Sequence, residues 1–152
     1  MQNETAAARL DWAQAQLKSA EIRPTAARLR VLRRLAEQQL PQSLEHIFDA
    51  LEVVGHCDPA TVWRALVLLG KHEIVRQLRP AGRQSYYVLN VPGGTCDYLV
   101  CRNCGIVADL PALAPMVELE QQLAAARGFE ISHHELEIYG TCADCRTPAP
   151  AH

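Results

Sequence analysis

Two C-x-x-C pairs constrain this chain more than any other feature: Cys101-Arg102-Asn103-Cys104, followed by Gly105, and Cys142-Ala143-Asp144-Cys145. Each pair puts two sulfurs on one tight turn, and the segment between the pairs is long enough to fold. Four thiolates brought to one point suit tetrahedral Zn²⁺, which is borderline-soft and has no geometric preference from d-electrons. Gly105 supplies the backbone freedom that such a turn needs. The pattern therefore assigns Cys101, Cys104, Cys142 and Cys145 to one structural Zn²⁺ per subunit. Two disulfides or four inert buried thiols are the alternatives. Disulfides need an oxidising compartment. The first twenty residues are polar and Ala-rich without an apolar signal core, and no run is long enough for a transmembrane helix. The expectation is a cytoplasmic protein with no membrane partner.

A chain of 152 residues makes one domain or two small ones. A small C-terminal part buries too little to be stable alone, and structural zinc, with an apparent binding energy of about 10–16 kcal/mol in zinc-finger peptides, would stabilise it. Charge divides the chain in the same way. Residues 1–90 carry 12 Lys/Arg against 9 Asp/Glu, and residues 91–152 carry 3 against 8, so a balance of +3 meets one of −5 and leaves the net −2. A mildly basic front and an acidic, ligand-rich back suit two modules with different partners.

From Thr5 to Ser19 the sequence reads as a helix, with Leu10, Ala13 and Leu17 at helical spacing and Trp12 beside them. Pro24 breaks it and Thr25 caps a second helix that runs to about Glu37, with Leu29, Leu32 and Leu35 inward. Its Arg28, Arg30, Arg33 and Arg34 form either a solvated face or a surface for phosphates. Ser43 caps a third helix to about Val54, with a stripe of Ile47, Leu51 and Val54. Asp58 and Pro59 open a fourth, through His72, which buries Val62, Leu66 and Leu69 and turns Thr61 and Arg64 outward. Two strand-like runs follow, 74–78 and 85–89, joined by a turn that carries Arg83. Helices followed by a hairpin make a winged helix-turn-helix. The helix from Pro59 would then enter the major groove and Arg83 would reach backbone or minor groove. A helical domain with a hairpin and no DNA remains the plain alternative.

Asn90 to Gly94 reads as a hinge. Beyond it come strands at 98–100 and 106–110, a helix to Arg127 closed by Gly128, and an alternating strand from Phe129 to Tyr139. The overall class is α+β: a winged-helix domain at 1–90, a hinge at 91–94, a small α/β dimerisation and zinc-binding domain at 95–146, and a disordered Pro/Ala tail at 147–152.

Thr61-Val62-Trp63-Arg64, the double C-x-x-C, Gly128-Phe129-Glu130-Ile131 and Leu136-Glu137-Ile138-Tyr139-Gly140 together resemble the ferric uptake regulator (Fur) family. The resemblance runs from about Leu17 to Cys145. It implies a homodimeric, metal-responsive transcription regulator, a repressor that binds a palindromic double-stranded DNA operator, and no enzyme. It assigns the four cysteines to structural zinc, and Arg23, Thr25, Arg28, Thr61, Trp63 and Arg64 to DNA. Trp63 stands where the family usually has Tyr.

The family's sensory site is altered. Its usual His-x-His-x-x-Cys run is Cys96-Asp97-Tyr98-Leu99-Val100-Cys101 in this chain. Another ligand histidine falls near Pro41 or Gln42, and a hinge-strand glutamate falls on Val88. What survives of a second, regulatory metal site is Asp97, His134 and a helix acid, Glu118 or Glu120, with Glu118 carried as the ligand and Cys96 beside them. A Cys96 thiolate would favour zinc or another thiophilic metal over iron. Cys96 is otherwise a redox thiol, or a neutral replacement in a regulator that is always competent for DNA. His133 is taken as a surface histidine, and Cys57 as a small thiol at the entrance to the recognition helix. Two other classes stay open. One is a zinc-stabilised interaction protein that has lost DNA binding. The other is a thioredoxin-like dithiol enzyme, disfavoured because neither Cys pair opens a helix after a strand in a βαβ unit.

Overall fold

The computed structural model describes residues 5–53, 58–79, 84–92, 97–110, 114–131 and 134–146. Cys57, Arg83, Gly93, Gly94, Cys96, His133 and the tail from 147 lie outside them. The chain separates into two compact units, 1–94 and 95–152.

The first unit holds four helices and a three-stranded sheet. Helix α1 (Ala6–Ser19) starts where the Thr5 hydroxyl accepts from the Ala8 N–H, and it buries Ala13 and Leu17. Helix α2 (Ala26–Glu37) is capped by Thr25 and buries Val31, Leu32, Leu35 and Ala36. Leu29, placed inward by periodicity, is only partly buried, and Val31 takes the deeper position. A two-residue strand β1 (Gln42–Ser43) leads directly into α3 (Leu44–Glu52), whose cap is the Ser43 hydroxyl. Helix α4 (Pro59–Lys71) is capped by Asp58 and seats Val62, Ala65, Leu66 and Leu69 in the core. The hairpin β2 (Val75–Leu78) and β3 (Tyr86–Leu89) closes the unit, with sheet order β1-β3-β2, all antiparallel. All four residues of the central strand β3 are buried. This is winged-helix topology.

Two features were not expected. Strand β1 pairs Gln42 with Tyr87 and Ser43 with Tyr86, which ties the entrance of α3 to the wing. Arg9 is buried, and its guanidinium donates to the Leu35 carbonyl at 3.3 Å and the Ala36 carbonyl at 3.1 Å. A cation is thereby placed on the carbonyl end of α2, where the helix dipole is negative.

The second unit is smaller. Strand β4 (Asp97–Cys101) lies between β5 (Val107–Asp109), antiparallel to it, and β6 (Leu136–Gly140), parallel to it. Helix α5 (Ala114–Arg127) connects β5 to β6 and ends at Gly128, φ 67°, in the left-handed region that glycine enters without strain. A short helix α6 (Ala143–Arg146) begins just after Cys142 and carries Cys145, where a plain turn was expected. The alternating pattern from Phe129 predicted a longer strand than exists. Among the described residues the β4–β6 ladder starts at Asp97 opposite Leu136, and Phe129, Glu130 and Ile131 pair with none of the described strands. Among the described residues of this unit, the buried apolar side chains are Tyr98, Val100, Cys101 and Val107. That core is thin beside the one formed by α1–α4.

Replacing Arg9 with Ala leaves buried carbonyls of α2 unpaired. It should lower the urea-unfolding stability of the first unit by about 2 kcal/mol. Arg9→Lys should restore only part of this, because a point donor cannot reach two carbonyls as the fork does.

Candidate metal centre and nucleic-acid interface

Parallel pairing of β4 with β6 brings the two cysteine pairs together. The ladder ends with Cys101 opposite Gly140, and the Arg102 N–H donates to the Gly140 carbonyl at 2.9 Å. Two residues later Cys142 arrives beside the turn that carries Cys104. Gly105, φ 78°, bends that turn, with its N–H on the Cys101 carbonyl at 3.0 Å. The Arg102 guanidinium lies 5.6 Å from the centroid of the Tyr139 ring, a cation–π contact between the ends of the two strands. Tyr139 in turn donates to the Glu137 carboxylate.

The four Sγ atoms of Cys101, Cys104, Cys142 and Cys145 lie within 4.8 Å of one another, and Cys104 and Cys142 are 3.7 Å apart. Tetrahedral Zn–S bonds of about 2.3 Å require sulfurs about 3.8 Å apart, so the donor set fits Zn²⁺. The electrostatics agree. Backbone amides of Cys104 and Cys142 point at the Cys101 sulfur, the Cys142 N–H at 3.3 Å, and pull its pKa down to about 6. Cys145, hydrogen-bonded to the Cys142 and Cys104 thiols, is pushed up to about 12. One thiolate is prepared in advance, and the last proton leaves only if a cation replaces it. Cys101 is buried and Cys104 exposed, so the cluster opens to solvent on the hairpin side.

The residues proposed for a second metal come together differently. His134 Nε2 lies 2.9 Å from Asp97 Oδ2, and Nδ1 lies 2.6 Å from Glu120 Oε1. Glu120 rather than Glu118 is the helix acid at this position. Glu118, two residues earlier on α5, is turned most of half a revolution away and is exposed. Asp97 is buried, and its other oxygen accepts from the Leu136 N–H at 3.2 Å. The carboxylates sit at opposite edges of the imidazole, which suits a protonated ring donating to both. Asp97 first, then Glu120, raise the His134 pKa. Holding a metal here would require the ring to turn and direct one nitrogen toward the carboxylates. Cys96 lies outside the described residues.

On α4, Trp63 is 51% exposed and Arg64 is exposed, while Val62 and Leu66 on either side of them are buried. Both outward side chains sit within the first two turns. Thr61 has a different place. Its hydroxyl donates to Asp58 Oδ2 at 2.5 Å and its N–H to Oδ1 at 3.0 Å, so it completes the cap. Thr61 is also the cause that holds the Asp58 pKa below its usual value. Thr25 likewise caps α2 by accepting from the Arg28 N–H, and the Arg28 guanidinium donates to the Arg23 carbonyl at 2.7 Å. Arg34 is tied to Gln42 at 2.8 Å. Arg23 is exposed. Beside Trp63 opens an apolar hollow of about 400 Å³, lined by Leu44, Phe48, Pro59, Ser85 and Tyr87 among others. Arg83 lies outside the described residues. Arg79, at the end of β2, is a wing cation that the sequence reading passed over; its guanidinium is 3.4 Å from Gln77 Oε1, and Gln77 Nε2 donates to Ser85 at 2.8 Å.

Removing one sulfur should empty the cluster. A Cys142→Ala variant is expected to lose its chelator-resistant zinc and the folded signal of residues 95–146, with the first unit still folded by circular dichroism. The Asp58 cap gives a pH test. Its folded pKa is depressed below 3.8, so its contribution is complete above that pH and is lost as pH falls through the folded value. Acid unfolding of the first unit should therefore lose this component in the wild type but not in Asp58→Asn.

Comparison with known proteins follows from this geometry. A model of the ferric uptake regulator family matches residues 19–139. The peroxide operon regulator of Bacillus subtilis is 32% identical over 134 residues, covering 85% of this chain and 88% of that protein. The crystal structure of the Vibrio cholerae ferric uptake regulator superposes with a TM-score of 0.73 at 27% identity, over 87% of this chain and all of that one. A zinc uptake regulator solved in complex with zinc and DNA superposes with a TM-score of 0.57 at 30% identity, over 95% of this chain and 97% of that one. Both relatives and fold place the protein among transcription regulators rather than enzymes: the chain belongs to the ferric uptake regulator family.

Proposed function

We propose that this chain is a homodimeric transcription regulator, acting as a repressor on a palindromic operator, with one structural Zn²⁺ per subunit. The observation that carries the DNA half is α4: a capped helix anchored by Val62, Leu66 and Leu69 that turns Trp63 and Arg64 to solvent. Arg64 in the major groove would take a guanine edge and Trp63 would pack on apolar base edges or sugar. Arg23, Thr25, Arg28, Arg79 and Arg83 would supply backbone contacts, Thr25 and Arg28 by holding the entrance of α2. The zinc uptake regulator solved with zinc and DNA is a relative in which such a fold meets both ligands.

The homodimer is supported by the second unit. Leu99 and Ile138 are ladder neighbours on β4 and β6 and are 43% and 42% exposed. Helix α5 leaves Val117, Leu119 and Leu123 exposed as well. Exposed apolar side chains on both the sheet and α5 of a unit with so thin a core suit burial against a second copy.

The regulatory input is a second divalent metal at Asp97, Glu120 and His134, with Cys96 shifting preference toward zinc or another thiophilic metal. One observation favours a different input. His134 already satisfies both ring nitrogens on carboxylates, which suits a position that stays closed to metal. In that case Cys96 senses oxidant, or the protein is constitutively competent for DNA. Its place would be the cytoplasm; no described helix is long and apolar enough to cross a membrane.

Metal content separates the two inputs. Two metals per chain, the second lost on mild chelation and in His134→Ala, are expected for a metal sensor; one chelator-resistant zinc would leave the redox or constitutive form. For DNA, Arg64→Ala should weaken binding to a selected operator by about 1–3 kcal/mol with the fold intact. Wild-type affinity should fall linearly in log Kd against log salt. Absence of any salt-dependent shift would leave a zinc-stabilised interaction protein.

A further inference from the structure

We infer that Val67 is a further base-reading residue, forming with Trp63 an apolar edge that takes thymine methyl groups in the major groove. The inference rests on the DNA-binding function proposed above. Along α4, positions 60, 63, 64 and 67 fall on one face, and Ala60, Trp63, Arg64 and Val67 are all exposed. Val62, Ala65, Leu66 and Leu69 fill the opposite face and are buried. Spacing of 0, 3, 4 and 7 is how a homeodomain's third helix presents its base-reading side chains to the major groove. Thr61 is off this face, with its hydroxyl committed to Asp58.

The chemistry of the face is therefore mostly apolar. Arg64 is the cation among these four, and Trp63 offers an indole N–H. Ala60 and Val67 offer no hydrogen bond at all. A β-branched residue lowers helix propensity slightly, and a valine 38% exposed on the outward face of a capped helix gains little from its isopropyl group. That group gains contact if the face docks onto something apolar. The apolar group on a base edge in the major groove is the C5 methyl of thymine. Val67 lies one turn beyond Trp63, about 6 Å along the axis at 1.5 Å per residue, so the two side chains would meet methyl groups roughly two base steps apart.

The test uses the full-length protein and a duplex enriched by it from random-sequence DNA. Each thymine of one half-site is replaced in turn by deoxyuridine, which removes only the methyl group. Binding is measured for the wild type, Val67→Ala and Trp63→Ala. At one thymine, uridine should weaken the wild type about fourfold, the equivalent of roughly 0.8 kcal/mol for one buried methyl-sized group. Val67→Ala should bind the thymine and uridine forms of that duplex equally. Trp63→Ala should be insensitive at a different thymine. The salt dependence of Val67→Ala should match the wild type, because no phosphate contact is lost. Alanine favours the helix, so this variant folds. If every uridine substitution costs Val67→Ala as much as it costs the wild type, Val67 does not read the groove, even though DNA binding stands. If no duplex is enriched, the DNA-binding function itself falls and takes this inference with it.

Discussion

Four thiols within 4.8 Å of one another cannot all ionise unless a cation sits among them, and the C-terminal unit is arranged around that requirement. Amides aimed at Cys101 stabilise the first negative charge, while the neighbouring thiols oppose the last one at Cys145. A divalent ion held there would resolve the conflict and crosslink two segments that are distant in sequence, the β4–β5 turn and the end of β6. Such a crosslink would matter because few of the described residues of this unit are buried. Tyr98, Val100 and Val107 make a small core, and much of α5 and the outer sheet face remains exposed. Where apolar burial is thin, metal coordination would supply folding energy in its place.

The N-terminal unit solves the opposite problem. Its core is ample, built from α1 to α4 and the wing strands, and needs no ion. What it requires is a helix held firmly enough to present a defined surface. Both ends of α4 are fixed locally. Asp58 and Thr61 satisfy the first turn. At the other end the Ile74 N–H returns to the Leu69 carbonyl and the Glu73 N–H to that of Gly70, with Glu73 in the left-handed region at φ 56°. Asn90 then donates to the Glu73 carbonyl at 2.9 Å, joining the helix end to the strand that leaves the wing. A rigid helix matters for recognition because the geometric tolerance of base contacts is small.

Much of this was legible in the sequence because it is local. Helix caps at Thr25, Ser43 and Asp58 follow from short side chains that accept from an N–H three residues on, and the core stripe of α4 follows from its period. The double C-x-x-C was legible for the same reason: ligand spacing within each turn is a sequence property. What escaped depends on tertiary placement. Strand β1 is two residues long and has no pattern of its own; it exists because β3 offers a free edge. Arg9 reads as a surface cation until α2 is set against α1. Glu73 ends a helix in a conformation usually left to glycine. The choice between Glu118 and Glu120 depended on the rotation of α5 about its axis, which no spacing rule supplies. Phe129 to Ile131 alternate like a strand, but alternation makes a strand only where a partner strand is present.

His134 links the two kinds of chemistry in the C-terminal unit. Asp97, and after it Glu120, hydrogen-bond its two nitrogens and raise its pKa, so the protonated ring with a carboxylate at each edge is the form the position favours. A divalent metal entering there cannot simply add to that arrangement. It must take one imidazole nitrogen for itself and remove any proton that nitrogen carries, so binding would weaken as pH falls. Displacement would also free one carboxylate from the ring. Asp97 is the more constrained of the two, since its second oxygen holds the Leu136 N–H at the first rung of the β4–β6 ladder. That ladder ends at Cys101 and Gly140, beside the sulfur cluster. The same pair of parallel strands thus has Asp97, the strand residue of the histidine group, at one end and Cys101 of the sulfur cluster at the other.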